Sequence, residues 1–407
     1  MLHAFKDNWA LFLGILLLMV SNGLLATLLT IRGVSLGFSE ITIGFMQAGY
    51  PLGALLGAVA APKLVEKVGH IRSFGALASL CSISAVVHLL TNDPMSWGLM
   101  RVLAGFCYPG LYVISESWLN AKAENRYRAS LLSIYFIVIA AGGSIGAAMA
   151  GFDDGTGTQL FGICSILISV SLVPILVSDN AAPEYSAPER LPILRLLRIS
   201  PLAITGSILN GILVAGIFIS LPLFGLTLGL SAAGAASLLV VATLAGALFQ
   251  FPIGWLSDRI DRRLVVAGAS GIAALTALGI ASGLLAGQLH LAVGLMAGML
   301  LPIYSICVAH ANDQLSPAQI VPASGTLVLA LNVGILIGSM VGPAVLSVGG
   351  PTGLMLLFVL VSCLTVFVAI FRITQSAAPE ESRAAQAISS QGGQMAGELH
   401  PEAEQQQ

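Results

Sequence analysis

About a dozen apolar runs, each near 20 residues long and almost free of charge, fill most of the chain. A helix of about 20 apolar residues matches the hydrocarbon thickness of a bilayer. In lipid the backbone polar groups must be satisfied within the segment, which favours helices. We therefore predict an all-α integral membrane protein with twelve transmembrane helices. The predicted spans are 9–31, 42–61, 73–91, 96–118, 130–152, 159–178, 201–223, 232–253, 264–286, 289–310, 323–347 and 352–372.

Charged residues make up only 9% of the chain and hydrophobic residues 57%, which excludes a soluble globular protein, where about a quarter of residues are charged. The net charge of -2 gives no basic field for nucleic acid, so no such partner is expected. The five cysteines lie in apolar runs without a paired spacing. They indicate neither a disulfide framework nor a metal site, and we expect no cofactor.

The basic residues indicate the orientation of the chain in the membrane. All but two of them fall on one side of the predicted spans; Arg32 falls on the other side and Arg101 within a span. By the positive-inside rule, both termini are expected to be cytoplasmic in a multi-pass inner-membrane protein. The first run exceeds the apolar core of a signal peptide, so we interpret it as a span. The residues on the basic side are Lys6, Lys63, Lys67, Arg72, Lys122, Arg126, Arg128, Arg190, Arg195, Arg198, Arg259, Arg262, Arg263, Arg372 and Arg383.

Three short patterns recur at nearly one spacing. Glu66 is echoed by Asp258, Asn22-Gly23 by Asn210-Gly211, and Gly105-x-x-x-Pro109 by Gly298-x-x-x-Pro302. A repeated offset of this kind predicts two parallel six-helix repeats. The predicted domains are 1–178 and 201–372, joined by a cytoplasmic linker at 179–200 and followed by a disordered cytoplasmic tail at 373–407. Within the linker, 193–199 is either a short amphipathic helix at the lipid surface or part of an irregular tether.

One loop carries the most specific motif. The segment Gly254 to Arg263 reads Gly-Trp-Leu-Ser-Asp-Arg-Ile-Asp-Arg-Arg and follows the second span of its repeat. It resembles the signature loop of the major facilitator superfamily, and Arg101-x-x-x-Gly105 resembles a second signature of that family. The run from His310 to Asp313, followed by Gly338-x-x-x-Gly342-Pro343, is similar to a largely uncharacterised bacterial branch. The resemblance covers 9–372 and implies a twelve-helix secondary transporter.

The sequence also departs from the family pattern. The first copy of the loop has Pro62, Glu66 and Lys67 where the family has Gly, Asp and Arg, and the second copy has Asp261 where Gly is usual. The antiporter signature expected in the fifth span lacks its proline, because that stretch reads Gly-Gly-Ser-Ile-Gly at 142–146. The departure weakens an antiporter interpretation and leaves uptake favoured.

The charged loops are the predicted gate. A carboxylate at a helix end can face the amino terminus of another helix, where free amides attract it. We expect Asp258 to meet the start of span five near Ala129 and Ser130, and Glu66 to meet the start of span eleven near Pro322, so that both contacts break when the transporter opens inward. The alternative is that these charges only fix topology. The predicted gate residues are Glu66, Lys67, Asp258, Arg259 and Arg263.

Two ionisable residues in span four are the predicted coupling groups. Arg101 lies within the apolar run, where a charge is costly; the alternative is that it reaches the outer surface. Glu116 is about 22 Å further along the helix, so the two cannot pair directly. Glu116 is either a proton-release group or an anchor at the membrane interface. His88 and His310 are alternatives for a proton relay or have structural roles.

The predicted solute cavity is lined by amides and aromatic rings near the middle of the spans. Such amides are either ligand contacts or hydrogen bonds between helices. The lining residues are Asn22, Gln47, Tyr112, Trp118, Asn210, Tyr304 and Asn332.

Together these features predict a proton-coupled transporter that takes up a small organic solute by alternating access. The cavity suits an uncharged or weakly anionic, ring-containing solute, for which riboflavin is one example. The alternatives are an efflux antiporter of apolar compounds and a membrane sensor that binds without transport. No nucleotide-binding motif or catalytic constellation is present in the sequence, so we expect neither an ATP-driven pump nor an enzyme. The expected partners are the solute, protons and the lipid bilayer, and the expected state is a monomer.

Overall fold

The computed structural model describes residues 9–122, 125–153, 156–177 and 191–375; side chains within 117–130 and those of 132, 133 and 317 are not described. The described secondary structure is helical throughout. The predicted tail and most of the linker lie outside these residues. The long helices are α1 Trp9–Ser35, α2 Glu40–Val68, α3 His70–Leu90, α4 Pro94–Lys122, α5 Asn125–Ala150, α6 Gln159–Val177, α7 Pro201–Thr227, α8 Ala232–Ser257, α9 Arg262–Ala281, α10 Ala286–Asn312, α11 (317–349) and α12 (351–375).

Length and composition allow these helices to cross a bilayer. Ten helices of the described residues are long and apolar enough, and the last of them is divided by a kink at Gly350, where φ is 61°. That kink separates α11 from α12, and α5 contributes the shorter apolar stretch Ile134–Ala150. The all-α membrane fold predicted from the apolar runs is confirmed.

The described helices group into two compact units. The first falls within 1–187 and 228–240, and the second within 188–227 and 241–407. The first unit holds α1 to α6, and the second holds α7, most of α8, and α9 to α12. The first turns of α8 group with the first unit, whereas the sequence assigned them to the second repeat.

Glycines bring particular helices into backbone contact inside each unit. A Cβ at Gly105 of α4 would overlap the carbonyl oxygen of Tyr50 in α2. In the two Asn-Gly echoes, a Cβ at Gly23 would overlap Gly143 of α5, and one at Gly211 would overlap Leu331 of α11. The repeated Asn-Gly pair therefore marks the same helix contact in both units, the first helix of the unit against the fifth.

The fourth helix of each unit responds differently to its proline. Although Pro109 lies inside α4, the helix is continuous. The equivalent helix α10 is interrupted at Leu301 and Pro302, between Leu289–Leu300 and Ile303–Asn312. A helix end leaves its last carbonyl groups without donors from the same helix. The carbonyl of Leu300 therefore needs a donor from elsewhere in the unit.

The described end of the linker packs on the second unit. The segment Ile193–Ile199 is helical, and we call it the linker helix. Its Leu196 is fully buried in an apolar cluster with α10 and α11, while Ile193 and Leu194 remain exposed. The backbone N–H of Leu191 donates to the carbonyl oxygen of Pro322 at 3.2 Å. Of the two alternatives for this segment, the structure has the helix, and one face of it is buried against protein.

Candidate functional site

Four polar side chains of α4 lie along one face of that helix. Arg101, Tyr108, Tyr112 and Glu116 follow one another at intervals of seven, four and four residues, which is the spacing of one helical stripe. We call them the α4 stripe. All four side chains are buried, so polar chemistry extends along most of the length of a membrane helix.

Near the middle of the first unit, an amide meets two hydroxyl groups of the tyrosines around it. The Nδ2 atom of Asn22 in α1 donates to the hydroxyl oxygen of Tyr50 at 3.4 Å and to that of Tyr112 at 3.3 Å. The ring of Tyr108 lies between the other two, with centroids 6.1 Å from each. Because Asn22 and Tyr50 are only half-buried, this cluster presents polar surface near the middle of α1.

Arg101 lies against the same cluster. Its guanidinium carbon is 4.5 Å from the ring centroid of Tyr50, a cation–π distance. A Cβ at Gly49 would lie 3.1 Å from the Cβ of Arg101, so that glycine leaves room for the arginine stem. The side chain is 4% exposed, and its Nε and Nη1 atoms are buried without a hydrogen-bond acceptor. Arg101 therefore points into the helix bundle instead of reaching the membrane surface.

Gln47 ties α2 to α1 one turn away from Tyr50. Its Nε2 atom donates to the carbonyl oxygen of Ala26 at 2.9 Å and to Thr30 Oγ1 at 3.2 Å. Its Oε1 atom is buried without a donor. The amide contributes both an interhelical tie and one unused acceptor beside the cluster.

Glu116 lies at the opposite end of the α4 stripe from Arg101. It is 3% exposed, and the hydroxyl group of Tyr135 in α5 donates to its Oε1 atom at 3.1 Å. Among the described residues no ion pair involves Glu116. Since an ionised carboxylate is expensive to bury without a counter-charge, this arrangement suits a group that carries a proton.

The polar residues predicted for the second repeat are not brought together in the same way. Asn210 is buried and donates from Nδ2 to the carbonyl oxygen of Leu300 at 2.8 Å, which satisfies the interrupted end of α10. Asn332 is half-buried and donates to Val328 in its own helix. Tyr304 lies in the apolar cluster under the linker helix. The side chain of Trp118 lies outside the described ones.

The signature loop after α8 contains a buried charge cluster built on Arg262. This side chain is 2% exposed and donates from Nε to Asp313 Oδ2 at 2.7 Å and from Nη1 to Asp258 Oδ1 at 3.1 Å. It also donates to the carbonyl oxygen of Ser257 at the end of α8. Asp313 follows α10, and its side chain is 3% exposed. One arginine therefore joins the ends of α8, α9 and α10.

A second arginine completes the cluster and explains the departure at Asp261. Arg263 bonds Asp261 through Nη2 at 2.6 Å and donates from Nη1 to the carbonyl oxygen of Arg372 at 3.0 Å. Asp261 has φ of -53° and accepts from the Arg263 amide as the N-cap of α9, so this turn does not require glycine. Hydrogen bonding to Arg263 holds the pKa of the Asp261 carboxyl below its usual value. Arg259 stacks on Trp255, with 3.6 Å between its guanidinium carbon and the ring centroid.

The equivalent turn after α2 has a different construction. Glu66 and Lys67 are exposed, and no ion pair of either is found among the described residues. The turn itself is Gly69, with φ of 84°. At the repeat spacing of Glu66 and Asp258, His70 stands where the second unit has Arg262. The contacts expected for Asp258 near Ser130 and for Glu66 near Pro322 stay predictions.

The two histidines considered for a relay are both buried. His88 lies 2.5 Å from the carbonyl oxygen of Ser84 through Nδ1 and stacks on Phe161 with centroids 5.9 Å apart. His310 contacts Gln314 through Nε2 at 3.0 Å. Both therefore have a local packing role.

Sequence reasoning missed four residues that the geometry brings into these sites. The sequence does not indicate Tyr50 as a site residue, because an aromatic residue in an apolar run is usually a packing residue. The glycines at 49 and 53 do indicate a close helix contact there. Tyr135 gave no signal before its contact with Glu116 was seen. From the sequence, Arg262 stands out only as a basic loop residue and Asp313 only as part of a family resemblance. Arg262 and Asp313 are far apart in the sequence, so no local pattern predicts the ion pair between them.

Comparison with known proteins identifies the family. The model of the Major Facilitator Superfamily matches residues 11–319 and 227–393. An uncharacterised MFS-type transporter of Enterobacter sp. (strain 638) is 26% identical over 332 residues, covering 81% of this chain and 86% of the relative. The uncharacterised MFS-type transporter YcaD of Salmonella arizonae is 25% identical over 333 residues, with the same coverage. These bacterial relatives and the apolar helices indicate a multi-pass inner-membrane protein.

Solved structures share the fold at low sequence identity. The nucleoside transporter NupG (D323A mutant) superposes with a TM-score of 0.74 at 15% identity, covering 90% of this chain and 99% of that one. A bacterial homologue of the human lysosomal transporter Spinster gives 0.71 at 16% identity, covering 93% and 98%. The fucose:proton symporter FucP of E. coli gives 0.58 at 15% identity, covering 91% and 99%. By fold, by the extent of the family match and by its relatives, the chain belongs to the major facilitator superfamily.

Proposed function

We propose that this protein is a proton-coupled secondary transporter that takes up a small organic solute across the inner membrane by alternating access. The observation that carries the proposal is the α4 stripe, which holds a buried cation and a buried acid in one membrane helix without an ion-pair partner among the described residues. Ionisable groups at this depth mark solute or proton pathways. The structurally similar proteins include a nucleoside transporter and a fucose:proton symporter, which is consistent with this assignment.

Glu116 is the proposed proton carrier. In this state its carboxyl group accepts from Tyr135 and has no cation beside it among the described residues, so a bound proton removes the cost of burial. Opening of the cytoplasmic side would hydrate the carboxyl group and release that proton. Arg101 cannot carry the proton itself, because a guanidinium group stays charged in proteins.

The half-buried mid-membrane cluster of Asn22 and Tyr50, with Tyr112 behind them, is the proposed solute contact. The orientation we propose has both termini in the cytoplasm, because the basic loop residues then obey the positive-inside rule. In this orientation the Arg262 cluster lies on the cytoplasmic side. It holds the ends of α8, α9 and α10 together as one half of the cytoplasmic gate.

Proton movement driven by solute gradients tests the function directly. Full-length protein in liposomes that contain a pH-sensitive dye is exposed to a panel of nucleosides, sugars and organic acids. Uptake coupled to protons acidifies the interior when one of these solutes is added outside. Glu116→Gln should abolish the acidification but retain exchange of labelled solute between the two sides, while Glu40→Gln, at the start of α2, should behave as wild type.

Other outcomes would contradict this assignment. If the interior becomes alkaline when a solute is added outside the liposomes, the protein is an antiporter. Binding of a solute without flux in either direction would indicate a sensor. Proton movement that persists unchanged in Glu116→Gln would remove Glu116 from the mechanism.

A further inference from the structure

Arg101 is a permanently charged side chain that has no counter-ion among the described residues. It is 4% exposed, and its Nε and Nη1 atoms are buried without an acceptor. No hydrogen bond from the guanidinium group is found within the described residues. A buried charge is retained only when it is paired or hydrogen-bonded, and the ring of Tyr50 at 4.5 Å offers only the weaker attraction of a π face. An anion beside this guanidinium group would therefore balance its charge.

The described protein does not supply that anion. The acid closest in sequence, Asp93, precedes α4 by one residue and accepts from the backbone N–H and hydroxyl group of Ser96 at 2.7 and 2.8 Å. It is about 12 Å from Arg101 along the helix axis, and Glu116 is about 22 Å away in the other direction. The other titratable side chains close to Arg101 are Tyr50, Tyr108, His88 and Cys81, and none of them is a carboxylate.

The neighbouring groups define the rest of the ligand. Tyr50 accepts from Asn22 through its hydroxyl oxygen, which leaves its own O–H able to donate to a ligand oxygen. Within the predicted spans of the first unit, Arg101 is the only Arg or Lys. A phosphate group carries about 1.5 to 2 negative charges at neutral pH, because its second ionisation is then largely complete. The single positive charge of one guanidinium group cannot balance it. A carboxylate carries one negative charge and matches the planar guanidinium group.

We infer that the transported solute is an organic monocarboxylate, and that its carboxylate group binds the buried guanidinium group of Arg101 beside the Asn22–Tyr50 pair. This inference rests on the proposed transport function and names the substrate class of the same site. It also sets the charge movement. One carboxylate accompanied by one proton on Glu116 carries no net charge, so the membrane potential, which contributes about 2.3 kcal/mol per charge at 100 mV, neither drives nor opposes uptake.

Matched acid and amide pairs test the recognition of the carboxylate. Full-length protein in lipid nanodiscs is titrated at pH 7 with labelled benzoate and benzamide, nicotinate and nicotinamide, and lactate and lactamide. We expect at least one acid to bind at least tenfold more tightly than its amide. Arg101→Gln should remove that preference, Arg101→Lys should retain part of it, and the matched substitution Arg195→Gln, at an exposed side chain of the linker helix, should leave it unchanged. Absence of any acid preference in the panel overturns the inference.

A measurement on the wild-type protein tests the inference without depending on the folding of any variant. Phenylglyoxal modifies arginine side chains, and mass spectrometry reports the modified fraction of the peptide that contains Arg101. The preferred acid should slow modification of Arg101 several-fold, and its amide should not. Equal modification in the presence of the acid and the amide overturns the inference even if Arg101→Gln does not fold.

Transport measurements separate this inference from the proposed function. Accumulation of the preferred acid inside liposomes above its external concentration should stop when the pH gradient is collapsed with nigericin, and should not change when valinomycin sets a potassium diffusion potential. If proton-driven uptake of the acid persists in Arg101→Gln, the substrate assignment fails and the transport function stands. If the acid binds through Arg101 but no gradient moves it, the transport function fails and the binding site stands.

Discussion

Asn22 and Asn210 occupy equivalent positions in the two units, yet they do different work. Asn22 is half-buried and donates to the hydroxyl groups of two tyrosines. Asn210 is buried and donates to the backbone of α10, where that helix is interrupted at Pro302. The first unit can therefore expose its amide to a ligand. In the second unit the amide donates the hydrogen bond that the interrupted end of α10 lacks.

The distribution of charge follows the same division. The first unit buries Arg101 and Glu116 inside α4, while its charged turn leaves Glu66 and Lys67 exposed. The second unit buries its charges at the loop end, where Arg262 joins Asp258 and Asp313. The two units thus share one helical framework, but the first buries charge within a membrane helix and the second buries it at a loop end.

The largest difference between the units should appear when the charged turns are neutralised. Asp313→Asn leaves Arg262 with Asp258 alone, and we expect a loss of about 3 kcal/mol, the lower end of the range for removing one partner of a buried pair. Glu66→Gln should leave the unfolding free energy at the wild-type value, because its side chain is exposed. Unfolding in mixed micelles measures both. Equal losses for the two variants would contradict the division of charge described above.

The equivalent glycines of α4 and α10 offer a second contrast. A Cβ at Gly105 meets the backbone carbonyl of Tyr50, which cannot move aside. At Gly298 the closest atom is 2.8 Å away on the ring of Phe249, which can rotate. We expect Gly105→Ala to lose about 2 kcal/mol and Gly298→Ala to lose less than about 1 kcal/mol. The same unfolding measurement checks the order, and a larger loss at Gly298 would reverse the assignment of the tighter contact.

Removal of each asparagine separates a structural role from a ligand role. Asn210→Ala should lose about 1 kcal/mol of unfolding free energy, as expected for a hydrogen bond between membrane helices, with solute affinity retained. Asn22→Ala should change stability less, because its two hydrogen bonds are long, but should weaken binding of the solute. Unfolding and equilibrium binding on the same preparations test both statements. A loss of binding in Asn210→Ala with normal binding in Asn22→Ala would invert the comparison.

The smallest effect is expected at the gate. Asp258 is partly exposed and shares Arg262 with Asp313. Removal of the Asp258 carboxylate therefore leaves the ion pair between Arg262 and Asp313 intact. Asp258→Asn should increase the inward-open population, with about threefold faster labelling of a cysteine placed at Asn332 by a reagent added from the cytoplasmic side. The exposed Cys363 is replaced by serine beforehand. Glu66→Gln is the matched variant, and an equal or larger effect there would mean that the exposed turn is the stronger latch.

The extent of the fold was predictable because the apolar runs determine it. The predicted fourth span, 96–118, lies inside the observed helix Pro94–Lys122, and the predicted break between the last two spans contains the kink at Gly350. The observed helices extend past the apolar runs because hydropathy marks only the apolar part of a helix. The behaviour of the two prolines was not predictable, since Pro109 and Pro302 have similar local sequences and different tertiary surroundings.

The candidate site in the first unit was predictable in part of its residues, and less so in their contacts. Arg101, Glu116 and Asn22 stand out because polar groups in apolar runs are conspicuous. A helix that is apolar on all sides gives little information about which face meets which neighbour, so the meeting of Asn22 with Tyr50, or of Tyr135 with Glu116, required coordinates. The pairing of Arg262 with Asp313 depends on how α8 to α10 pack together, which local sequence does not encode.

The attachment of Leu191 bears on how this protein can be divided. Its N–H donates to Pro322, its carbonyl oxygen accepts from the hydroxyl group of Thr326, and Leu196 fills the apolar cluster below. These residues belong to the second unit, although they precede its first membrane helix. A pair of separately expressed polypeptides that reassemble in the membrane should therefore be cut before Leu191. A cut at Pro201 would remove from the second polypeptide a piece of its own interior.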